Sequence, residues 1–260
     1  MRLKLILRTQ PNSVLAFDHH HALRAVIYRI IERADSTYSH WLHENGFAAT
    51  GKKNFKLFSF DLLRGQPFQL NNERKEILFP TGIVEWTLGF YIEEPLAKFV
   101  EGLFKNQVFE VATLGTRVRF EVQSVQILET PSFAQTLRFR CETGICLTEK
   151  TETDRYEQFR SPSDAHYKIL FYNSLAAKVQ AATGRKPLPY SEDIFDLTIL
   201  TEPKKWSTLV PQDNGAKPIR TIGFKFNFDI TAPIDYLKVG YFAGFGKGTS
   251  GGFGWVETLK

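Results

Sequence analysis

An α+β fold of two tandem βαββαβ domains, residues 1–128 and 129–260, is what the sequence predicts. Two observations predict it. The first half reads strand, helix, strand, strand, helix, strand, and the second half can be read in the same order. A third completes the outline: seven of the eighteen glycines fall between Gly240 and Gly254, as GYFAGFGKGTSGGFG, so the second domain ends in a glycine-rich loop and a terminal strand. At 260 residues the chain suits two units of about 130, each able to bury a core.

The opening MRLKLILRT puts Leu3, Leu5 and Leu7 on one face and Arg2, Lys4 and Arg8 on the other, the period of a half-buried strand. After the Pro11-Asn12-Ser13 turn, Leu23, Val26, Ile27, Ile30 and Ile31 recur at helical spacing. A short second helix is expected from Ser36 as N-cap, with Tyr38, Trp41 and Leu42 as its apolar face and Gly46 as its stop. Strands are expected near 55–63, 74–79 and 83–92. Pro95 opens a helix with a stripe of Leu96, Phe99, Val100, Leu103 and Phe104, and a strand pair covers 107–127. In the second half a hairpin is expected near 133–149, a helix near 163–182, strands near 193–201 and 217–230, a short helix from Pro233 and a last strand near 253–259. This is the element order of two ferredoxin-like domains, although no internal repeat is visible in the residues themselves.

Glycine in ordered structure costs about 0.5–1 kcal/mol against alanine, so the C-terminal run implies sharp turns or a close approach. It is not a Walker loop, because Gly248 follows Lys247 and Tyr241 stands where the first glycine belongs. Gly246, Gly248 and Gly251 match a dinucleotide fingerprint by count, but only nine residues follow, too few for the helix and acid it needs. A kinase-type loop would open a domain, whereas this one closes the chain. What remains is a cradle of backbone N–H groups suited to an anion.

The net charge of +5 favours a polyanionic partner without establishing one. Cys141 and Cys146 are the only cysteines, no other pair completes a zinc site, and they read as reduced strand residues. The N-terminus lacks a signal-peptide core, and no segment approaches the ~18 apolar residues of a membrane span. The expected compartment is the cytoplasm, with no membrane partner.

Among the six histidines, His19, His20 and His21 read as a solvated helix start, and His166 as exposed. His40 and His43 share a helix face, but only Glu44 lies nearby to extend a metal site, so neither metal nor cofactor is expected. His43 sits in a last helical turn, where the macrodipole favours a positive imidazole. A plain surface histidine is the reading that spacing alone favours. Tyr28 lies on the flank of the first helix, where a tyrosine more often packs than reacts. Lys56 is expected on one strand face with Phe58, Phe60 and Leu62, either at the strand's open end or over an apolar surface.

These pieces together resemble a known family. LKVGYFAGFG followed by GFGKGTSGGFG is similar to the C-terminal glycine signature of the CRISPR-associated endoribonucleases of the Cas six family, in the RAMP superfamily. HHALRAVIYRII, WLHENG and KLFSFDLL resemble that family's tyrosine-bearing first helix, its Leu-His near the end of the second helix, and its Lys-Leu-Phe strand. The resemblance runs along the whole chain and is diffuse over about 130–215.

The resemblance implies a metal-independent endoribonuclease that cuts CRISPR transcripts once per repeat. By motif, His43 would be the general acid–base residue, Tyr28 its partner, and Lys56 the charge that steadies the transition state, with Lys52 and Lys53 as competitors. Which of His43 and Tyr28 is acid and which is base stays open. RNA would be held by Lys225, Lys238 and Lys247, by Arg2, Lys4 or Arg8 where these face the cleft, and by Gly244, Phe245, Gly246, Gly248, Thr249, Ser250, Gly251, Gly252, Phe253 and Gly254. Phe245 and Phe253 either stack on bases or anchor the loop in the core. The loop would lie apart from the cutting residues. Repeat RNA is the implied partner, with other interference-complex subunits and a second copy of the chain as further candidates. Two rivals stand beside this reading: a non-cleaving RNA-binding subunit and a structural subunit of an interference assembly.

Overall fold

The strand Arg2–Arg8 sits in the middle of the first sheet, with Leu3, Leu5 and Leu7 buried as the alternation requires. The computed structural model describes residues 1–49, 54–113, 115–152, 154–210 and 217–259. Arg2–Arg8 pairs antiparallel with Arg117–Ile127 on one side and with Ile83–Phe90 on the other, and Phe58–Phe60 adds to the outer edge of the latter. Numbered as the four strands of a βαββαβ unit, their spatial order is 4-1-3-2, with Val108–Ala112 as an added edge strand. Helices α1 (His20–Ala34), α2 (Ser36–Glu44) and α3 (Glu93–Lys105) complete this half. Asp35, one residue before the expected cap, caps α2 by accepting from the backbone N–H of Tyr38 at 2.9 Å.

The second half repeats the order. Thr136–Cys141 pairs with Asn227–Thr231 and Val256–Thr258, and Asp196–Ile199 lies outside Asn227–Thr231, giving 4-1-3-2 again. Helices α4 (Tyr167–Thr183) and α5 (Ile234–Ala243) belong to this unit. The apolar core falls into two clusters, one drawn from residues 3–122 and the other from 139–256.

Several expected elements differ. The run expected as one strand near 217–230 is two: Ile219–Lys225 pairs with Lys204–Val210 in an inserted hairpin, and Asn227–Thr231 returns to the sheet. Phe226 separates them, so the alternating phenylalanines serve two different sheets. The hairpin expected near 133–149 is a single sheet strand, and Thr148–Glu149 pairs instead with Gln158–Phe159. Phe104, placed on the apolar stripe of α3, is 68% exposed.

Two polar expectations are overturned. His19 and His20 are buried, not solvated: their rings stack at 4.7 Å, and His20 meets the edge of Trp206 from the inserted hairpin. Burial holds the His19 imidazole down at about 4 and that of His20 well below its usual range. Arg2 is not on an open polar face either. Its guanidinium lies between the rings of Tyr241 and Trp255, at 3.5 and 3.8 Å, and donates to the carbonyls of Tyr241 and Val256 and to Glu257. It ties the first strand to the second half and is taken out of contention as an RNA contact. Cys141 and Cys146 are buried free thiols, and burial pushes both up to about 12.

Candidate active site

Asp35 breaks the backbone between α1 and α2, and α2 folds back on α1. Ser39 locks the pair by donating from its hydroxyl to the Tyr28 carbonyl at 2.9 Å. This brings Tyr28 from the middle of α1 against His43 from the last turn of α2, edge to face, with ring centroids 4.8 Å apart. Tyr28 also packs against Phe58, and its hydroxyl is buried beside Arg24, which approaches it as a donor without closing a well-formed hydrogen bond. Burial pushes the phenol above its usual range, and the nearby Arg24 guanidinium opposes the shift.

His43 is exposed. Its Nδ1 lies 2.8 Å from Oε1 of Glu44, whose carboxyl that hydrogen bond holds below the usual range. An ionised carboxylate only accepts, so Nδ1 carries the proton and Nε2 is left for a substrate. Lys56 reaches the same place by an unexpected route. It lies outside a regular strand, between the short strand Asn54–Phe55 and Phe58–Phe60, and Leu57 has φ +54. That turn breaks the alternation, so Lys56 does not share a face with Phe58 and Phe60. It donates from Nζ to the His43 carbonyl at 2.5 Å. Burial lowers the ammonium below the ordinary lysine range; Arg24 lowers it further, and Glu44 opposes. Lys52 and Lys53 lie outside the described residues.

The glycine loop is not remote from these groups. A groove of about 640 Å³ is lined by Asn54, Phe55 and Lys56 on one wall and by Gly246 to Ser250 on the other. The expected separation of loop and cutting residues therefore fails for Lys56, while Tyr28 and His43 do not line this groove. Phe245 is fully buried among Phe139, Phe171 and Phe228, and Phe253 meets Trp206 edge-on at 4.8 Å. Both rings anchor the loop, and neither presents a face to a base. Lys247 is not a free cation: its Nζ donates to Thr148 and, at 2.9 Å, to Glu157, while its backbone N–H donates to the Cys146 carbonyl. Lys225 and Lys238 line neither this groove nor the hollow beside α1; Lys238 lies over the Phe133 ring. Lys4 pairs with Glu85 at 3.1 Å, and Arg8 lines a separate hollow with Arg117 and Arg119.

Two cations escaped the reading of the sequence. Arg24 stands one turn before Tyr28, and that i, i+4 spacing was the available signal. Lys178 is buried in α4, lines the groove and donates to the Gly244 carbonyl at 2.5 Å; burial alone brings its ammonium down to about 7. Nothing in the run around it marked that lysine as buried. Among the described residues there is no group of three or more His, Cys, Asp or Glu placed to hold a metal ion, and no helix is long and apolar enough to cross a membrane.

What this arrangement can do is transfer protons beside a cation at a groove edge. Comparison with known proteins gives it a context. Residues 14–126 match the family model of CRISPR-associated protein Cas6, N-terminal, and residues 128–258 match that of CRISPR associated protein Cas6, C-terminal. The chain is 24% identical to CRISPR-associated endoribonuclease Cas6 1 of Methanocaldococcus jannaschii, over 100% of this chain and 93% of that one. It is 25% identical to CRISPR-associated endoribonuclease Cas6 of Pyrococcus furiosus, over 93% and 82%. Its fold matches a solved structure described as a RAMP protein binding different RNA substrates, with TM-score 0.82, 16% identity and full coverage of both chains. The chain belongs to the Cas6 family of CRISPR-associated proteins.

Proposed function

We propose that this protein is an endoribonuclease that processes CRISPR precursor transcripts by cutting within the repeat, using Tyr28, His43 and Lys56 without a metal ion. The observation that carries this reading is the contact of Tyr28 with His43 at 4.8 Å beside the Lys56 ammonium, at the edge of the groove that the glycine loop lines. Support comes also from the two relatives, each an endoribonuclease by name, and from a structural counterpart described as binding RNA.

The reaction fits the groups. The ribose 2′-hydroxyl attacks the adjacent phosphorus, a 2′-O–P bond forms, and the bond from phosphorus to the 5′-oxygen breaks. One group takes the 2′ proton and another supplies a proton to the leaving oxygen, giving a 2′,3′-cyclic phosphate and a 5′-hydroxyl. Positioned acid–base groups contribute about 10²–10⁴-fold, and a cation at the phosphate adds electrostatic stabilisation. His43, with Nδ1 held by Glu44, offers Nε2 for one proton transfer; the hydroxyl of Tyr28, beside Arg24, is available for the other. Groove-side contacts to the RNA come from Lys56 and the backbone of Gly248 to Ser250, not from the buried loop phenylalanines.

The test is incubation of the cognate repeat RNA with stoichiometric protein in EDTA. Cleavage at one position within the repeat is expected, with His43→Ala slower by about 10²–10⁴-fold. RNA left intact by the unaltered protein in EDTA would overturn the reading of a metal-independent nuclease and favour a binding subunit.

A further inference from the structure

The glycine loop borders a second hollow besides the one that Lys56 lines. Gly248 and Ser250 line two hollows at once: the groove bearing Lys56, and a smaller one of about 120 Å³ beside α1, lined by His21, Arg24, Thr208, Thr221 and Gly251. Gly248 and Ser250 thus border both the hollow that holds Lys56 and the one that holds Arg24. Both cations bear on the same reacting groups. The Arg24 guanidinium lies 5.8 Å from the centroid of the Tyr28 ring, and its charge is felt at both the Tyr28 hydroxyl and the Lys56 ammonium.

Among the described residues Arg24 has no carboxylate partner, unlike Lys247 with Glu157 and Lys4 with Glu85, and its guanidinium is turned toward the Tyr28 hydroxyl. Glu44 is the carboxylate that bears on both Tyr28 and Lys56, and its Oε1 is already engaged by His43, so the two cations around the Tyr28 hydroxyl leave an excess of positive charge there. A phosphodiester between them would relieve the repulsion, and a phosphorane, with its additional negative charge, would relieve it more. Interactions that strengthen as charge develops accelerate the reaction, and fixed donors in place beforehand need no reorganisation. Guanidinium suits this task because its planar fork can hold two phosphate oxygens while remaining charged at any working pH.

We propose that Arg24 is a fourth catalytic residue, a guanidinium that faces the scissile phosphate opposite Lys56 and stabilises the charge it gains as the 2′-oxygen attacks. The inference rests on the reading of Tyr28 and His43 as the cutting residues. Arg24 transfers no proton. Its place one turn before Tyr28 on α1 fixes its distance from the Tyr28 side chain through a rigid element, whereas Lys56 is held by the His43 carbonyl at the end of α2.

The experiment is single-turnover cleavage of the cognate repeat RNA at saturating protein in EDTA, comparing the unaltered chain with Arg24→Ala, Arg24→Lys and His43→Ala. Arg24→Ala is expected to slow cleavage by about 10²–10³-fold, as loss of one transition-state donor does elsewhere, while affinity for the RNA and the melting temperature change little. Arg24→Lys should recover part of the rate. Free guanidinium ion at millimolar concentration should accelerate Arg24→Ala and leave the unaltered protein unmoved, a response that a structural arginine would not give. An Arg24→Ala rate equal to wild type, or a loss that free guanidinium does not relieve, would overturn the proposal while His43→Ala still reported on the proposed function. If the unaltered protein itself fails to cut, it is the function that falls.

Discussion

The hydroxyl of Tyr28 is buried with only a poorly formed contact from Arg24, and a buried polar group without a good partner is disfavoured by up to about 1–3 kcal/mol. A fold has no reason of its own to keep it, because phenylalanine would fill the same space against Phe58 and His43. Tyr28→Phe is therefore expected to melt at the same temperature or slightly higher, while single-turnover cleavage falls about 10²-fold. Thermal unfolding followed by circular dichroism, beside the cleavage assay, checks both halves. A marked drop in melting temperature would show instead that the hydroxyl serves the fold. At this scale the sequence held the identities of the groups but not their meeting. Fifteen residues separate Tyr28 from His43, and their contact depends on the turn at Asp35 and on the Ser39 bond to the Tyr28 carbonyl, neither of which periodicity encodes.

Among elements, the glycine loop shows which glycines are structural. Gly254 has φ +70, and a Cβ on it would lie 1.9 Å from the carbonyl oxygen of Phe245, which its own chain segment must clear. Gly251 has no such φ, and a Cβ added there would meet nothing within 4 Å. Gly254→Ala should accordingly lower stability by more than the ~1–2 kcal/mol of a left-handed backbone alone, and Gly251→Ala by no more than about 0.5 kcal/mol. Urea denaturation of the two variants provides the comparison. Equal stability would mean that the loop relaxes around an added carbon. Gly246 and Gly252 fall in the first class, since a Cβ would meet the Cys146 carbonyl at 2.6 Å and the His20 ring at 2.6 Å. Replacing them disturbs packing as well as any RNA contact, so Gly251 is the cleaner probe of binding. The strand and helix order of both halves was legible because burial imposes periods of two and 3.6. The inserted hairpin was not: KKWSTLV is largely half-exposed, and Phe226 gives no sign of the break between two strands.

For the whole molecule, buried cations make stability depend on pH in separate windows. Lys178 is down at about 7 from an ordinary 10.5 because burial penalises its charge, so between these values the unfolded chain binds the extra proton. Its contribution is complete above 10.5 and is lost as pH falls through this interval, with a slope of up to about 1.4 kcal/mol per pH unit. His19, at about 4 against 6.5, acts in the same direction on the acid side. The N-terminal amine, at about 6 against 8.0, does so between those values, and Cys141 and Cys146 reverse the trend above 9.0. Those groups are common to wild type and Lys178→Met, so the difference between the two proteins isolates the lysine. Met fills the stem's volume but leaves the Gly244 carbonyl without its donor, a loss that does not vary with pH. Urea unfolding at pH 7, 8 and 9 should therefore show wild type gaining steadily on Lys178→Met as pH rises. Parallel profiles would mean that the ammonium under the glycine loop is solvated through the groove and keeps its charge, which would make Lys178 a cation open to the RNA.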